Sequence, residues 1–194
     1  MPSAKRTGLA IHPLTPDRWD DFKTLFGQNG GCAGCWCMWP RMGQTEWLAK
    51  KPVGTKWMMR AIVRKGPPPG LLAYAGDEPV GWCALAPREA YSRLQRSKIF
   101  APVDGMPVWS VTCFFVRRDW RRRGVTAALL AETPRFVAAN GGRMVEGYPF
   151  DVAKEQVPAF VHYGLLGAFR RAGFQEVARR SKHRPIVRKK AAAR

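Results

Sequence analysis

Residues 108–133 read VWSVTCFFVRRDWRRRGVTAALLAET, and the junction inside them decides the fold. Val108 to Val116 is β-branched and aromatic almost throughout, which reads as a strand. From Val125 onward, Val125, Ala128 and Leu129 supply a buried face at helical spacing. Between the two stand Arg121, Arg122, Arg123 and Gly124. A strand that enters a helix through a glycine leaves the first helical N–H groups unpaired, and with the helix dipole they make a seat for a phosphate. The arginines add charge around that seat, and Gly124 lets a bulky anion approach the backbone. The competing reading is a row of solvated arginines, because the full phosphate-loop signature GxxxxGK[ST] is absent.

Working outward, LAIHPL (9–14) alternates as a strand does, and TPDRWDDFKTLFG (15–27) carries helix start and stop signals. Thr15 is placed to cap, Pro16 suits the first turn, Asp17 complements the dipole and Gly27 ends the helix. A second helix is expected over 55–65, with Trp57, Met58, Ala61 and Ile62 facing the core. GLLAYA and VGWCALAP, separated by the turn formers Gly76, Asp77 and Pro79, predict a hairpin over 70–75 and 80–86. The segment 88–106 reads as a long surface excursion. Beyond the junction a helix spans about 122–140, where Pro134 should kink or break it. RMVEGYPF (143–150) is the next strand, HYGLLGAFRRAG (162–173) a short helix, and FQEVARR with RPIVRK a final hairpin. Strands alternating with helices beside hairpins give an α/β or α+β layer with a mixed sheet.

The chain has 194 residues, 46% of them hydrophobic, which fits one domain over 9–188 between a flexible N-terminus (1–8) and a basic C-terminal tail (189–194). MPSAKRTG lacks the layout of a secretory signal, and no run approaches the roughly 20 apolar residues needed to span a bilayer. A soluble, cytoplasmic protein without a membrane partner is expected. Five cysteines, an odd number, argue for reduced thiols. The formal charge of +19 favours anionic partners without naming them.

The span FFVRRDWRRRGVTAALLAET resembles the central motif of the GCN5-related N-acetyltransferase (GNAT) family, in which a strand runs into an Arg/Gln-x-x-Gly-x-Gly/Ala loop. Arg121, Gly124 and Thr126 occupy its three fixed positions, with Thr126 a departure. FRRAGF (169–174) is similar to the family's later Tyr-x-x-x-Gly-Phe motif, with Phe169 in place of the tyrosine. The resemblance implies a mixed, mostly antiparallel central sheet of about seven strands flanked by helices, and acetyl transfer from acetyl-CoA, as co-substrate and without a metal, to an amine. It further implies that Arg121, Arg122, Arg123, Gly124, Val125, Thr126 and Ala127 hold the pyrophosphate, while Phe114, Phe115 and Val116 grip the pantetheine arm and acetyl carbonyl. His162 and Phe169 fall at positions that adjoin the cofactor. A homodimer is compatible with it.

Such a transfer needs positioning and backbone donors more than special side chains. Phenylalanine has no proton to give, so the leaving thiolate takes one from another group, Tyr163 or Tyr148, or from water. Glu146, flanked by Val145 and Gly147, is the first candidate for the base, and His162 the second. GGCAGCWCMWPR (30–41) is expected to form an apolar wall. In the resembled family this region covers the acceptor, so Trp36, Met38 and Trp39, with Trp82, are candidate acceptor contacts. Cys32, Cys35 and Cys37 lack the second cluster a structural zinc site needs. Between Arg179 and Lys190 seven of twelve residues are Lys or Arg. A nucleic-acid-binding module without catalysis is therefore the rival reading.

Overall fold

The computed structural model describes residues 8–152 and 162–192. Seven strands form one sheet: β1 (Leu9–Pro13), β2 (Gly70–Ala75), β3 (Glu78–Pro87), β4 (Trp109–Val116), β5 (Met144–Gly147), β6 (Gln175–Arg179) and β7 (Pro185–Lys190). Their order is β1-β2-β3-β4-β5-β7-β6, and only the β4–β5 pair is parallel. The mostly antiparallel mixed sheet is thus as expected. The helices are α1 (Trp19–Phe26), α2 (Gln44–Lys50), α3 (Val53–Lys65), α4 (Ser92–Gln95), α5 (Val125–Ala139) and α6 (Leu166–Arg171). Among the described residues no helix is long and apolar enough to cross a membrane.

Alternation along the strands sorts side chains onto two faces. On one, Leu71, Ala73, Cys83, Leu85, Val111, Val145 and Val187 pack under α5 and α6, with Gly81 of β3 letting Val125 come close. On the other, Leu72, Tyr74, Trp82 and Ala84 meet α1, α3 and the loop around Trp36 to Met42. Farther along this second face Tyr148 and Ile186 lie under Tyr91, Leu94 and Phe100, which come from the segment between β3 and β4.

That segment is anchored, contrary to the expected surface excursion. Arg88 is buried and donates to the carbonyls of Leu94 at 3.1 Å and Phe100 at 2.5 Å. Arg180 donates to those of Ala101 at 2.6 Å and Pro102 at 3.0 Å.

Several local expectations are corrected. Pro134 does not break α5: it leaves the Leu130 carbonyl without its helical donor, and Thr133 Oγ1 donates to that carbonyl at 2.8 Å. The buried face of α3 is Thr55, Met59 and Val63, with Met58 and Ile62 packed at its edge as expected, while Trp57, 57% exposed, and Ala61 face outward. Thr15 does not cap with its side chain; its hydroxyl instead accepts from Arg18 Nη1 at 3.0 Å. The strand expected over 143–150 is shortened to β5, and the helix expected over 162–173 starts only at Leu166, after Gly164 turns the chain at φ +84°. β7 runs through Lys190. The rest of the two expected tails, 1–7 and 193–194, lies outside the described residues.

Candidate active site

β4 and β5 pair only over Trp109–Val111 and Val145–Gly147. β4 then continues to Val116 while β5 has ended, so the two strands part. In the gap the Phe114 N–H donates to the His162 carbonyl at 2.6 Å, and the Phe150 N–H donates to the Gly164 carbonyl at 2.8 Å. One amide on the free edge of β4 is therefore already bonded within the chain. The Val116 carbonyl likewise accepts from Arg121 Nε at 3.2 Å.

The chain leaves β4 through a short turn and enters α5 at Gly124, which adopts the left-handed conformation (φ +82°, ψ 3°). L-residues with a Cβ rarely adopt that conformation, which accounts for the glycine. The first helical bond here runs from the Ala128 N–H to the Gly124 carbonyl at 3.0 Å. The amides of Val125, Thr126 and Ala127 thus form the open positive end of a 15-residue helix whose first turn has no acidic residue. Arg121, Arg122, Arg123 and Gly124 are exposed, and a Cβ on Gly124 would meet nothing within 4 Å. The arrangement suits a multiply charged anion.

Glu146 is 1% exposed on the face opposite α5. Its Oε1 accepts from the Tyr148 hydroxyl at 2.6 Å and lies 3.4 Å from Arg88 Nη1, while Oε2 accepts from Arg188 Nε at 2.7 Å. Ser110 Oγ meets the Tyr148 hydroxyl at 2.8 Å, and Arg188 Nη1 reaches Asp104 at 2.7 Å. Burial and the charge of Glu146 hold the Tyr148 phenol well above its ordinary value. No local pattern in the sequence signals this network, although alternation in PIVRK does put Arg188 on the same face as Ile186.

Tyr163 lies on that same face, 8% exposed, its ring centroid 5.9 Å from that of Phe100 and 4.7 Å from that of His162. Burial raises its pKa, with Arg184 pulling the other way. Phe169 is fully buried on the α5 face, beside Phe114 (centroids 6.0 Å apart) and Phe174 (5.2 Å). Tyr163 and Phe169 therefore belong to different sides of the sheet. Phe115 also turns away from α5, packing against Phe26 at 4.9 Å.

The segment over 30–41 forms a wall, as expected, but a tightly packed one. Trp36, Met38 and Trp82 are 4%, 2% and 0% exposed, and Trp82 Nε1 donates to Cys37 Sγ at 3.2 Å. Trp39 is only half-buried and carries the Arg93 guanidinium over its ring at 3.3 Å. The five cysteines are free thiols, Cys32 among them exposed. Among the described residues no group of three or more His, Cys, Asp or Glu side chains is arranged to hold a metal ion.

The sequence profile of the Acetyltransferase (GNAT) family matches residues 28–158. No curated protein matches the sequence. Among solved structures the chain is similar to an acetyltransferase of the GNAT family from Streptococcus pneumoniae, at 14% identity and TM-score 0.54, covering 95% of this chain and 100% of that one. It is also similar to PaiA N-acetyltransferase from Thermoplasma acidophilum in complex with coenzyme A, at 12% identity and TM-score 0.51, covering 94% and 99%. Agmatine N-acetyltransferase matches at 10% identity and TM-score 0.56, covering 94% and 99%. At such identities the likeness speaks for the fold, and the profile match for the family. The chain belongs to the GNAT family and is an acetyl-CoA-dependent N-acetyltransferase.

Proposed function

We propose that the protein moves the acetyl group from acetyl-CoA to a primary amine by direct attack, with the pyrophosphate held at the mouth of α5. The observation that carries this reading is Gly124 in the left-handed conformation at the open end of α5, beside three exposed arginines. Arg121 to Ala127 take the pyrophosphate through amides and guanidinium groups. Phe114, Phe115 and Val116 line the pantetheine arm, which competes with His162 for the Phe114 N–H and with Arg121 for the Val116 carbonyl. A thioester carbonyl that takes the Phe114 N–H gains an oxyanion donor in the tetrahedral intermediate.

Glu146 is better suited to fixing the frame than to taking the proton, because both its oxygens already accept from donors. Tyr163 stays protonated at neutral pH, since burial raises its pKa, and so acts as a donor, to the oxyanion or to the leaving thiolate. The amine arrives unprotonated and hands its proton to water or to His162. Trp39 lines the acceptor side.

The test is free thiol release from acetyl-CoA with a panel of primary amines, alongside thermal unfolding with and without acetyl-CoA. Acetyl-CoA should raise Tm by mass action, and at least one amine should release thiol well above hydrolysis. Neither effect at millimolar acetyl-CoA would remove the proposal.

A further inference from the structure

Two arginines on the acceptor side have cation sites filled by rings instead of carboxylates. The Arg184 guanidinium lies over Phe150 at 3.8 Å, Phe100 at 4.6 Å and Tyr163 at 4.9 Å, and Nη2 donates to the Tyr148 carbonyl at 3.1 Å. Arg93 lies over Trp39, and its Nε donates to the Trp39 carbonyl at 2.7 Å. Arg184 Nε and Arg93 Nη2 are buried without a hydrogen-bond partner. Both guanidinium groups act electrostatically on the Tyr163 hydroxyl. Tyr163 follows His162, whose carbonyl holds the Phe114 N–H where β4 and β5 part.

A desolvated guanidinium is costly unless an anion compensates it, and aromatic faces return only part of that cost. Burial pulls the Arg184 pKa down to about 10, with Tyr163 acting the other way. Among the described residues neither guanidinium is in a salt bridge, while Glu146 pairs with Arg88 and Arg188, Asp104 with Arg188, and Asp151 with Arg179. Each guanidinium is a flat fork pinned on its face by rings, a geometry that matches the two oxygens of a carboxylate. The same surplus of positive charge repels a dication.

We propose that the acceptor is an amine carrying its own carboxylate, an amino acid or a compound built on one, with the carboxylate held by Arg184 or Arg93 and the amine directed to the gap between β4 and β5. This rests on the reading of the protein as an amine acetyltransferase and names the class of its acceptor. Polyvalent cations such as agmatine are disfavoured for the same reason.

Acceptor pairs that differ only in the carboxylate test it: phenylalanine against 2-phenylethylamine, tryptophan against tryptamine, and lysine against cadaverine, with agmatine added. In the wild type the carboxylate-bearing member of at least one pair should have kcat/KM higher by about tenfold or more, the effect of a charge-assisted hydrogen bond. Arg184→Met or Arg93→Met should bring that ratio towards one by raising KM for the amino acid, and Arg184→Lys should restore it in part. In case the Met variants fold poorly, N-acetylphenylalanine in the presence of CoA should raise the wild-type Tm, while N-acetyl-2-phenylethylamine at equal concentration should not. Equal or better turnover of the plain amines overturns the inference and leaves the enzyme assignment standing, as does thermal stabilisation by acetyl-CoA without any response to carboxylate ligands. Absence of both stabilisation by acetyl-CoA and thiol release overturns the two together.

Discussion

Gly81 on β3 and Val125 at the start of α5 are packed so closely that a Cβ on Gly81 would stand 2.5 Å from Val125 Cγ1. The open end of the helix is therefore fixed to the sheet by the absence of a side chain. Gly81→Val should push α5 outward, lowering stability by about 1–3 kcal/mol through overpacking and weakening CoA binding as well. Chemical denaturation and a CoA titration on the same sample check it. Unchanged CoA affinity in a destabilised variant would show that the phosphate seat does not depend on this contact.

On the proposed reading Glu146 supports the fold. Glu146→Gln leaves the buried Arg88 and Arg188 short of a carboxylate and should cost about 3–5 kcal/mol. The acidic limb of the kcat/KM pH profile should stay where it is. A variant with wild-type Tm and a lost acidic limb would instead make Glu146 the base.

Alkali should unfold the protein through its tyrosines. All four, Tyr74, Tyr91, Tyr148 and Tyr163, have pKa values raised, with burial the largest cause in each. The unfolded chain loses these protons from about pH 10 upward, before the folded one does. Stability is therefore fully present below that pH and falls as pH rises, by about 1.4 kcal/mol per pH unit for each phenol held protonated. Urea midpoints across this range, read with phenolate absorbance, check the sign. Phenolate absorbance that grows near pH 10 while the protein is still folded would contradict it.

Thr133→Val should weaken α5, because it orphans the Leu130 carbonyl that Pro134 already leaves without a backbone donor. A loss of about 1–3 kcal/mol is expected, the cost of a buried unsatisfied acceptor. Denaturant unfolding of Thr133→Val and Thr133→Ser separates the hydroxyl from the packing. Equal loss in both would place the effect in shape alone.

The parts of the fold legible in the sequence were those set by neighbours in the chain. Gly76 and Asp77 turn β2 into β3, and Gly124 marks the entry to α5. What escaped depended on distance. Glu146 looks like a lone inward carboxylate until Arg88, 58 positions away, and Arg188, 42 away, are brought to it. Trp57 satisfies the helical pattern of α3 and still faces outward, because periodicity fixes a stripe but not which of two adjacent stripes meets the sheet. Pro134 announced a break that a single hydroxyl one residue earlier prevents. The aromatic seats of Arg93 and Arg184 join segments that no local pattern connects.

On the proposed reading, the backbone at Gly124 and the first turn of α5 bind the diphosphate of acetyl-CoA. Calorimetric titration of acetyl-CoA into the wild type and Gly124→Val reads that contact. The space around Gly124 is open, so the variant should fold, at a backbone cost of roughly 1–2 kcal/mol. A fall in affinity of about tenfold or more, with the Gly124→Val protein still folded, is the predicted result. Equal affinity in the two proteins would contradict it.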